Sequence, residues 1–279
     1  MSWTLFSFSV ALIAGVAAPT KAALLFSDDF AYANGNLAGN GGGTGWQASS
    51  QWTGGTGSTG NLVADPLPGT DGKSIRIASN ASVTSRPLST TYTSGGATTY
   101  YISFGLNADP FQGAGLGQYA GLSVYLASDQ TNNLLMGMPG DSGQFGFDWT
   151  NRTQEFAPGA NDTTYLALYE IAPGTNTGTT KVTMYASTNL LLSGTALMQT
   201  APWVSIDNEA DFSFDTVSFA GSYTTGTISL AGLAMADDAN DAVAFTQTAV
   251  PEPGLLAAGA AILAAAWSIL RRRRAAVGR

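Results

Sequence analysis

Gln144-Phe145-Gly146-Phe147-Asp148-Trp149 puts an aromatic side chain at every second position. Successive side chains of an extended chain point to opposite faces, so the three rings share one face and Gln144, Gly146 and Asp148 the other. The stretch therefore reads as a strand with one face on a core. Lys181-Val182-Thr183-Met184-Tyr185 alternates in the same way, with one face on a core and one in water. Working outward, similar segments rich in Val, Ile, Thr, Tyr and Phe fall at 74–79, 98–107, 119–127, 134–138, 163–171, 212–219 and 227–235, between clusters of Gly, Asn, Asp and Ser. With 144–149 and 179–187 they make nine strands separated by turn-like spacers, and almost nothing between 24 and 249 has a helical period. The pattern predicts an all-β chain folded as an antiparallel β-sandwich. Residues 34–61 read as a long surface loop, and 236–249 as a lead-out toward the C-terminus.

The net charge of −8 conceals an asymmetry. Between residues 24 and 249 only Lys73, Arg76, Arg86, Arg152 and Lys181 are basic, against eighteen acids, a balance of −13. Such a surface repels phosphate backbones, so no nucleic-acid partner is expected. Cysteine and histidine are both absent. That excludes a disulfide framework, a Ser-His-Asp triad, a Cys-His dyad and the usual zinc sites. Carboxylate chemistry and oxygen-ligand metals such as calcium remain.

The two ends carry addresses. Residues 3–18 are apolar and lead into Pro19-Thr20-Lys21-Ala22-Ala23, which reads as a signal peptide spanning 1–23, the alternative being a buried N-terminal helix or strand. At the other end stand Val250-Pro251-Glu252-Pro253, an uncharged apolar run over 254–270, and Arg271-Arg272-Arg273-Arg274. As a helix the run would reach roughly 25 Å, a marginal membrane span. The arginines would hold the C-terminus inside by the positive-inside rule. This tripartite tail, residues 250–279, resembles the PEP-CTERM sorting signal of Gram-negative bacteria; an ordinary C-terminal anchor is the alternative. The resemblance implies an exosortase-type processing partner, transit through the inner membrane, and delivery to the cell envelope, surface or matrix, often beside exopolysaccharide.

Residues 24–249 would then be a single ectodomain. Asp28-Asp29-Phe30, Tyr32-Ala33-Asn34-Gly35-Asn36-Leu37, a glycine loop ending in Gly45-Trp46, Gly72-Lys73-Ser74-Ile75-Arg76-Ile77 and Ile228-Ser229-Leu230-Ala231-Gly232-Leu233 follow one another. Their order resembles that of concanavalin A-like, laminin-G-type jelly rolls. That fold serves lectins, glycan hydrolases and adhesion modules alike, so it implies no single activity.

Three groups of side chains are candidates for chemistry. Asp237, Asp238, Asn240 and Asp241 crowd oxygen ligands into a calcium-binding density, or else form a solvated acidic turn. Asp207, Glu209 and Asp211 alternate like glycosidase carboxylates on a strand, or else belong to a surface turn or helix cap. Trp46 and Trp52 offer rings for stacking on sugars, with Trp52, in the Gly-Ser loop, expected to be more exposed than Trp149. The leading expectation is a non-enzymatic exported surface or matrix protein that binds glycan. A carboxylate-dependent glycan hydrolase or lyase and a matrix filler with no specific ligand are the rivals. No catalytic residue and no obligatory cofactor are assigned; calcium is the one ion weighed.

Overall fold

The computed structural model describes residues 24–54, 61–64, 67, 73–77, 81–112, 119–139, 144–149, 153–157, 162–223 and 225–249. The signal segment 1–23, the motif Val250, Pro251, Glu252 and Pro253, the apolar run 254–270 and Arg271, Arg272, Arg273 and Arg274 lie outside the described residues. No helix among the described residues is long and apolar enough to cross a membrane.

The elements in chain order are β1 (Leu24–Asp28), β2 (Gly35–Asn36), β3 (Thr53–Gly54), β4 (Leu62–Ala64), β5 (Ser74–Ile77), β6 (Ala81–Thr93), β7 (Tyr100–Gln112), β8 (Tyr119–Leu126) and β9 (Asp129–Met138). Then follow β10 (Phe145–Trp149), β11 (Thr153–Ala157), β12 (Thr163–Pro173), β13 (Thr179–Ser187), α1 (Gly194–Met198), β14 (Val204–Ala210), β15 (Ser213–Ser222), β16 (Thr225–Ala236) and α2 (Ala239–Ala249). Each of the nine strands expected from the sequence is present. A nine-stranded sheet has the order β14-β13-β12-β7-β16-β5-β4-β2, with β1 also paired to β16; a seven-stranded sheet has the order β11-β10-β9-β8-β15-β6-β3. Every pairing is antiparallel. The chain crosses repeatedly between sheets, as at β7 to β8, β11 to β12 and β14 to β15, in the manner of a jelly roll.

The two inner faces share one core. Phe145, Phe147 and Trp149 of β10 meet Tyr165, Tyr169 and Ile171 of β12 and Phe212, Phe214 and Phe219 of the β15 region in a single apolar cluster. Burying an aromatic side chain of this size contributes about 1.5–3 kcal/mol relative to leaving it in water. β12 is apolar on both faces for a reason: its odd residues enter this core, while Leu166 and Leu168 point outward into a second cluster with Leu197, Ala231, Ala239 and Val243. That second layer is built by α1 and α2, which cover the outer face of the nine-stranded sheet.

The helices correct the reading of 236–249 as a lead-out. Asp238 Oδ1 accepts from the Asn240 and Asp241 backbone N–H groups at 2.8 and 3.4 Å, which caps the start of α2. Near its other end, the Gln247 amide donates to the carbonyls of Leu190 and Leu192 at 2.9 and 2.7 Å. Thr246 Oγ1 donates to Gly232 O at 2.8 Å. The segment that ends at Ala249 is thus fastened to the sandwich.

Candidate functional site

The glycine loop expected at the surface folds inward and delivers Trp46 and Trp52 to the core. Thr44 and Ser27 exchange backbone hydrogen bonds at 3.0 and 3.1 Å, and a bridge joins Trp46 to Leu88, so the loop is stitched to β1 and β6. Trp52 is 0% and Trp46 8% exposed. Their rings meet edge-on at 5.3 Å, and Trp52 lies 5.0 Å from Phe219. The expected exposure of Trp52 over Trp149 is therefore corrected: both are fully buried. A sugar cannot stack on a ring whose faces are already covered, so neither Trp46 nor Trp52 presents an open platform.

The reason for this inward fold is Asp28, itself buried. Its Oδ2 accepts from the Tyr32 hydroxyl at 2.6 Å, the Trp52 indole N–H at 3.0 Å and Arg86 Nη1 at 3.3 Å, while Oδ1 accepts from Phe30 N at 2.9 Å. Arg86 also donates to Gly42 O at 2.8 Å and Ser50 Oγ at 3.2 Å, and its guanidinium lies 4.5 Å above the Trp46 ring. Burial pushes the Asp28 carboxyl above the usual carboxylate range, opposed by these donors and by the Arg86 charge. Burial likewise lowers Arg86 and raises Tyr32. Fully partnered, the group ties loop to sandwich.

The two acidic clusters are also built into local structure. Asp207 accepts from Thr175 N at 2.9 Å and from its hydroxyl, which holds the turn 174–179 against β14; the same bonds keep its carboxyl below the usual range. Asp211 accepts from Thr180 Oγ1 at 2.9 Å. At the other cluster, Asp238 caps α2 and Asn240 Oδ1 accepts from Thr195 N at 2.9 Å. Asp237, Asp238 and Asn240 line a hollow of about 380 Å³ with Tyr101, Met198 and Gln199. Among the described residues no three acidic side chains gather in a way that would hold a metal ion.

A further concavity lies on the outer face of the seven-stranded sheet. On β8, Ala120, Leu122 and Val124 enter the core, which turns Tyr119, Ser123 and Tyr125 outward. They line a groove of about 310 Å³ with Gln130, Asn133 and Leu135 of β9, Asp148 of β10, Ser218 and Ala220 of β15, Val83 of β6 and Pro139. The register explains the depression. Gly121 pairs with Gly137 on one side and Ala220 on the other, and Gly137 pairs with Gly146, so one row across four strands carries almost no side chain. A Cβ at Gly121 would stand 2.1 Å from the Met136 carbonyl, so the close approach of backbones requires glycine there. Beneath the floor, the core residue Tyr169 donates to Gly146 O at 3.0 Å. Tyr119 stands half-buried at one end of β8, and Tyr125, only 8% exposed, closes the other. Val83 is 48% exposed. One partly exposed aromatic ring, Tyr119, two amides, two hydroxyls and one carboxylate around a smooth floor can stack on and hydrogen-bond a hydroxyl-rich ligand.

Sequence reasoning took Asp148 only as part of a strand and gave no role to Tyr119 or Tyr125. The available signal was the outward half of two alternating strands, which becomes a site only once the register aligns Gly121, Gly137 and Gly146.

No protein-family profile matches the chain, and no curated relative does. Among solved structures it is similar to the botulinum neurotoxin serotype C1 binding domain, at 10% identity over 81% of this chain and 52% of that one, with a TM-score of 0.48. It is also similar to the T. cruzi calreticulin globular domain, at 11% identity over 78% and 95% of the two chains, TM-score 0.43. A third is the catalytic domain of a glycoside hydrolase family 131 protein from Coprinopsis cinerea, at 15% identity over 67% and 82%, TM-score 0.39.

Proposed function

We propose that this is an exported, non-enzymatic surface or matrix protein that binds glycan in the groove of its seven-stranded sheet. The observation that carries the reading is the side-chain-free row Gly121, Gly137 and Gly146 beside the partly exposed Tyr119. A pyranose ring has an apolar face for a tyrosine and a rim of hydroxyls for Gln130, Asn133 and Asp148. The address rests on sequence: the apolar N-terminal stretch and the PEP-CTERM-like tail, read by an exosortase-type enzyme and directing the sandwich to the envelope or matrix, beside exopolysaccharide.

Carboxylate catalysis needs two acids facing each other across the scissile bond, about 5–9 Å apart. Asp148 is the one acid among the described residues that line the groove. The test is a glycan array run on the purified protein with and without calcium. Binding lost in Tyr119→Ala and Gln130→Ala, each shown to be folded by circular dichroism, supports the reading. Array binding unaffected by both changes overturns it. Reducing-sugar release from any bound glycan would replace it with the hydrolase reading.

A further inference from the structure

Resting on the glycan reading of the groove, we infer that the site is longer than the groove: it continues lengthwise along β15 and β6 into a second hollow and takes a run of several sugars of a linear glycan. The inference comes from how β6 leaves β15. Ser85 pairs with Ser218 and Pro87 with Thr216, and the ladder then resumes only at Tyr92, opposite Phe214. The four residues from Leu88 to Thr91 thus stand against Asp215 alone. A bulge of this size bends its strand and disrupts the ladder beside it. Over this stretch β6 is held by the glycine loop instead. Gln47 N donates to Pro87 O at 3.1 Å and Ser89 N to Gly45 O at 2.9 Å, with a bridge between Trp46 and Leu88.

The parting of the two strands leaves a hollow of about 290 Å³, lined by Gln47, Ser89, Thr90, Thr91, Asp215 and Thr216 among others. All six side chains are polar, and Gln47, Thr90 and Thr91 are exposed. Asp215 receives Ala127 N at 2.8 Å and Thr216 Oγ1 at 2.9 Å on Oδ1, which leaves Oδ2 to accept from a ligand hydroxyl. The two hollows abut. Tyr125 lines the first and Thr216 the second, and these residues are partners in the β8–β15 ladder. Along β15 the outward residues Ala220, Ser218 and Thr216 are all small, so the floor passes from one hollow to the other without a large side chain across it. From Ala220 to Thr216 the strand advances about 13 Å, whereas one pyranose ring spans about one inter-strand spacing, ~5 Å. A ligand filling both hollows therefore sets about three rings or more in line. A single sugar reaches only one hollow.

The experiment titrates the full-length protein with size series, from two sugars to eight, cut from each linear glycan that binds on the array. Affinity should rise at least about tenfold between two and five sugars and then level off, as two or three added neutral hydrogen bonds imply. Gln47→Ala and Thr90→Ala, each shown to be folded by circular dichroism, should weaken the five-sugar ligand about threefold or more and leave the two-sugar ligand unchanged. Tyr119→Ala should weaken every length. Affinity that is level from two sugars upward, or Gln47 and Thr90 variants that weaken short and long ligands alike, overturns the second subsite while leaving glycan binding in the groove intact. Binding to no glycan of any length overturns the glycan reading itself and this inference with it.

Discussion

Asp28 and Arg86 lie 58 residues apart in sequence and 3.3 Å apart in space, with the carboxylate fully and the guanidinium almost fully removed from water. A buried pair of this kind is a matter of mutual dependence more than of net gain, because each charge is tolerable only beside the other. Asp28→Ala, which strands the arginine, should cost about 3–5 kcal/mol in urea unfolding. Arg86→Met should cost a comparable amount, and the double variant much less than the sum, with a coupling of about 0.5–3 kcal/mol. Strict additivity would show that the two do not support one another.

Trp52→Ala should behave as a core deletion. The indole packs on Trp46 and Phe219 and donates to Asp28, so its loss should cost about 3–5 kcal/mol. Glycan affinity of the protein that remains folded should not change, since the groove lies on the opposite face of the seven-stranded sheet. A folded Trp52→Ala protein of unaltered stability that no longer binds glycan would reverse both statements.

The glycine loop supplies an internal comparison. Gly45 has φ +77°, and a Cβ there would stand 1.9 Å from the Leu25 carbonyl. Gly39 has φ +90° but open space around the same position. Gly39→Ala should therefore cost only the left-handed backbone penalty, about 1–2 kcal/mol. Gly45→Ala must also push β1 aside and should exceed it by at least about 1 kcal/mol. Chemical denaturation of the two variants side by side decides it.

Alkali should unfold the sandwich through its buried phenols. The Tyr223 hydroxyl donates to the Ile77 carbonyl, and burial pushes it up to about 12 from its ordinary value of 10; Tyr185, beside Glu170, is pushed up to about 12 as well. Above pH 10 the unfolded chain releases these protons and the folded one keeps them. Stability is thus fully present below pH 10 and falls as pH rises from 10 toward 12. Acid acts in the other sense at Asp207, whose lowered pKa contributes stability above 3.8 that is lost as pH falls below it. Denaturation midpoints across pH, with Tyr223→Phe flattening the alkaline limb, test the sign. A midpoint rising between pH 10 and 12 would contradict it.

The sandwich was legible because its strands obey a period of two, and all nine expected segments are strands. The segments passed over each lack that signal for a stated reason. β6 carries Pro87 in its middle, and its ladder to β15 is interrupted between Phe214 and Thr216. β1 is only five residues long and β14 is polar on its open side. α2 reads Ala-Asn-Asp-Ala-Val-Ala-Phe-Thr-Gln-Thr-Ala, with too few large apolar residues to display a helical stripe, and it is ordered by what Thr246 and Gln247 find on the sheet. The exposure of Trp52 was misjudged because a Gly-Ser loop is polar in composition, while its fate was decided by a carboxylate 24 residues away. The groove was invisible for a similar reason. Gly121, Gly137 and Gly146 are unremarkable in sequence until pairing lines them up.

The last strand among the described residues is also central to the nine-stranded sheet. β16 pairs with β7 along one edge and with β5 and β1 along the other, and among the described residues β1 pairs with no other strand, so Leu24 waits for Ala236. Synthesis proceeds from the N-terminus, so for most of its making the nine-stranded sheet is two unconnected halves around a vacant lane. Contacts this far apart in sequence make closure slow as well as late. The seven-stranded sheet can pair without β16, but the nine-stranded one is joined only when residues 225–236 follow. Until then both edges that β16 will cover stay open.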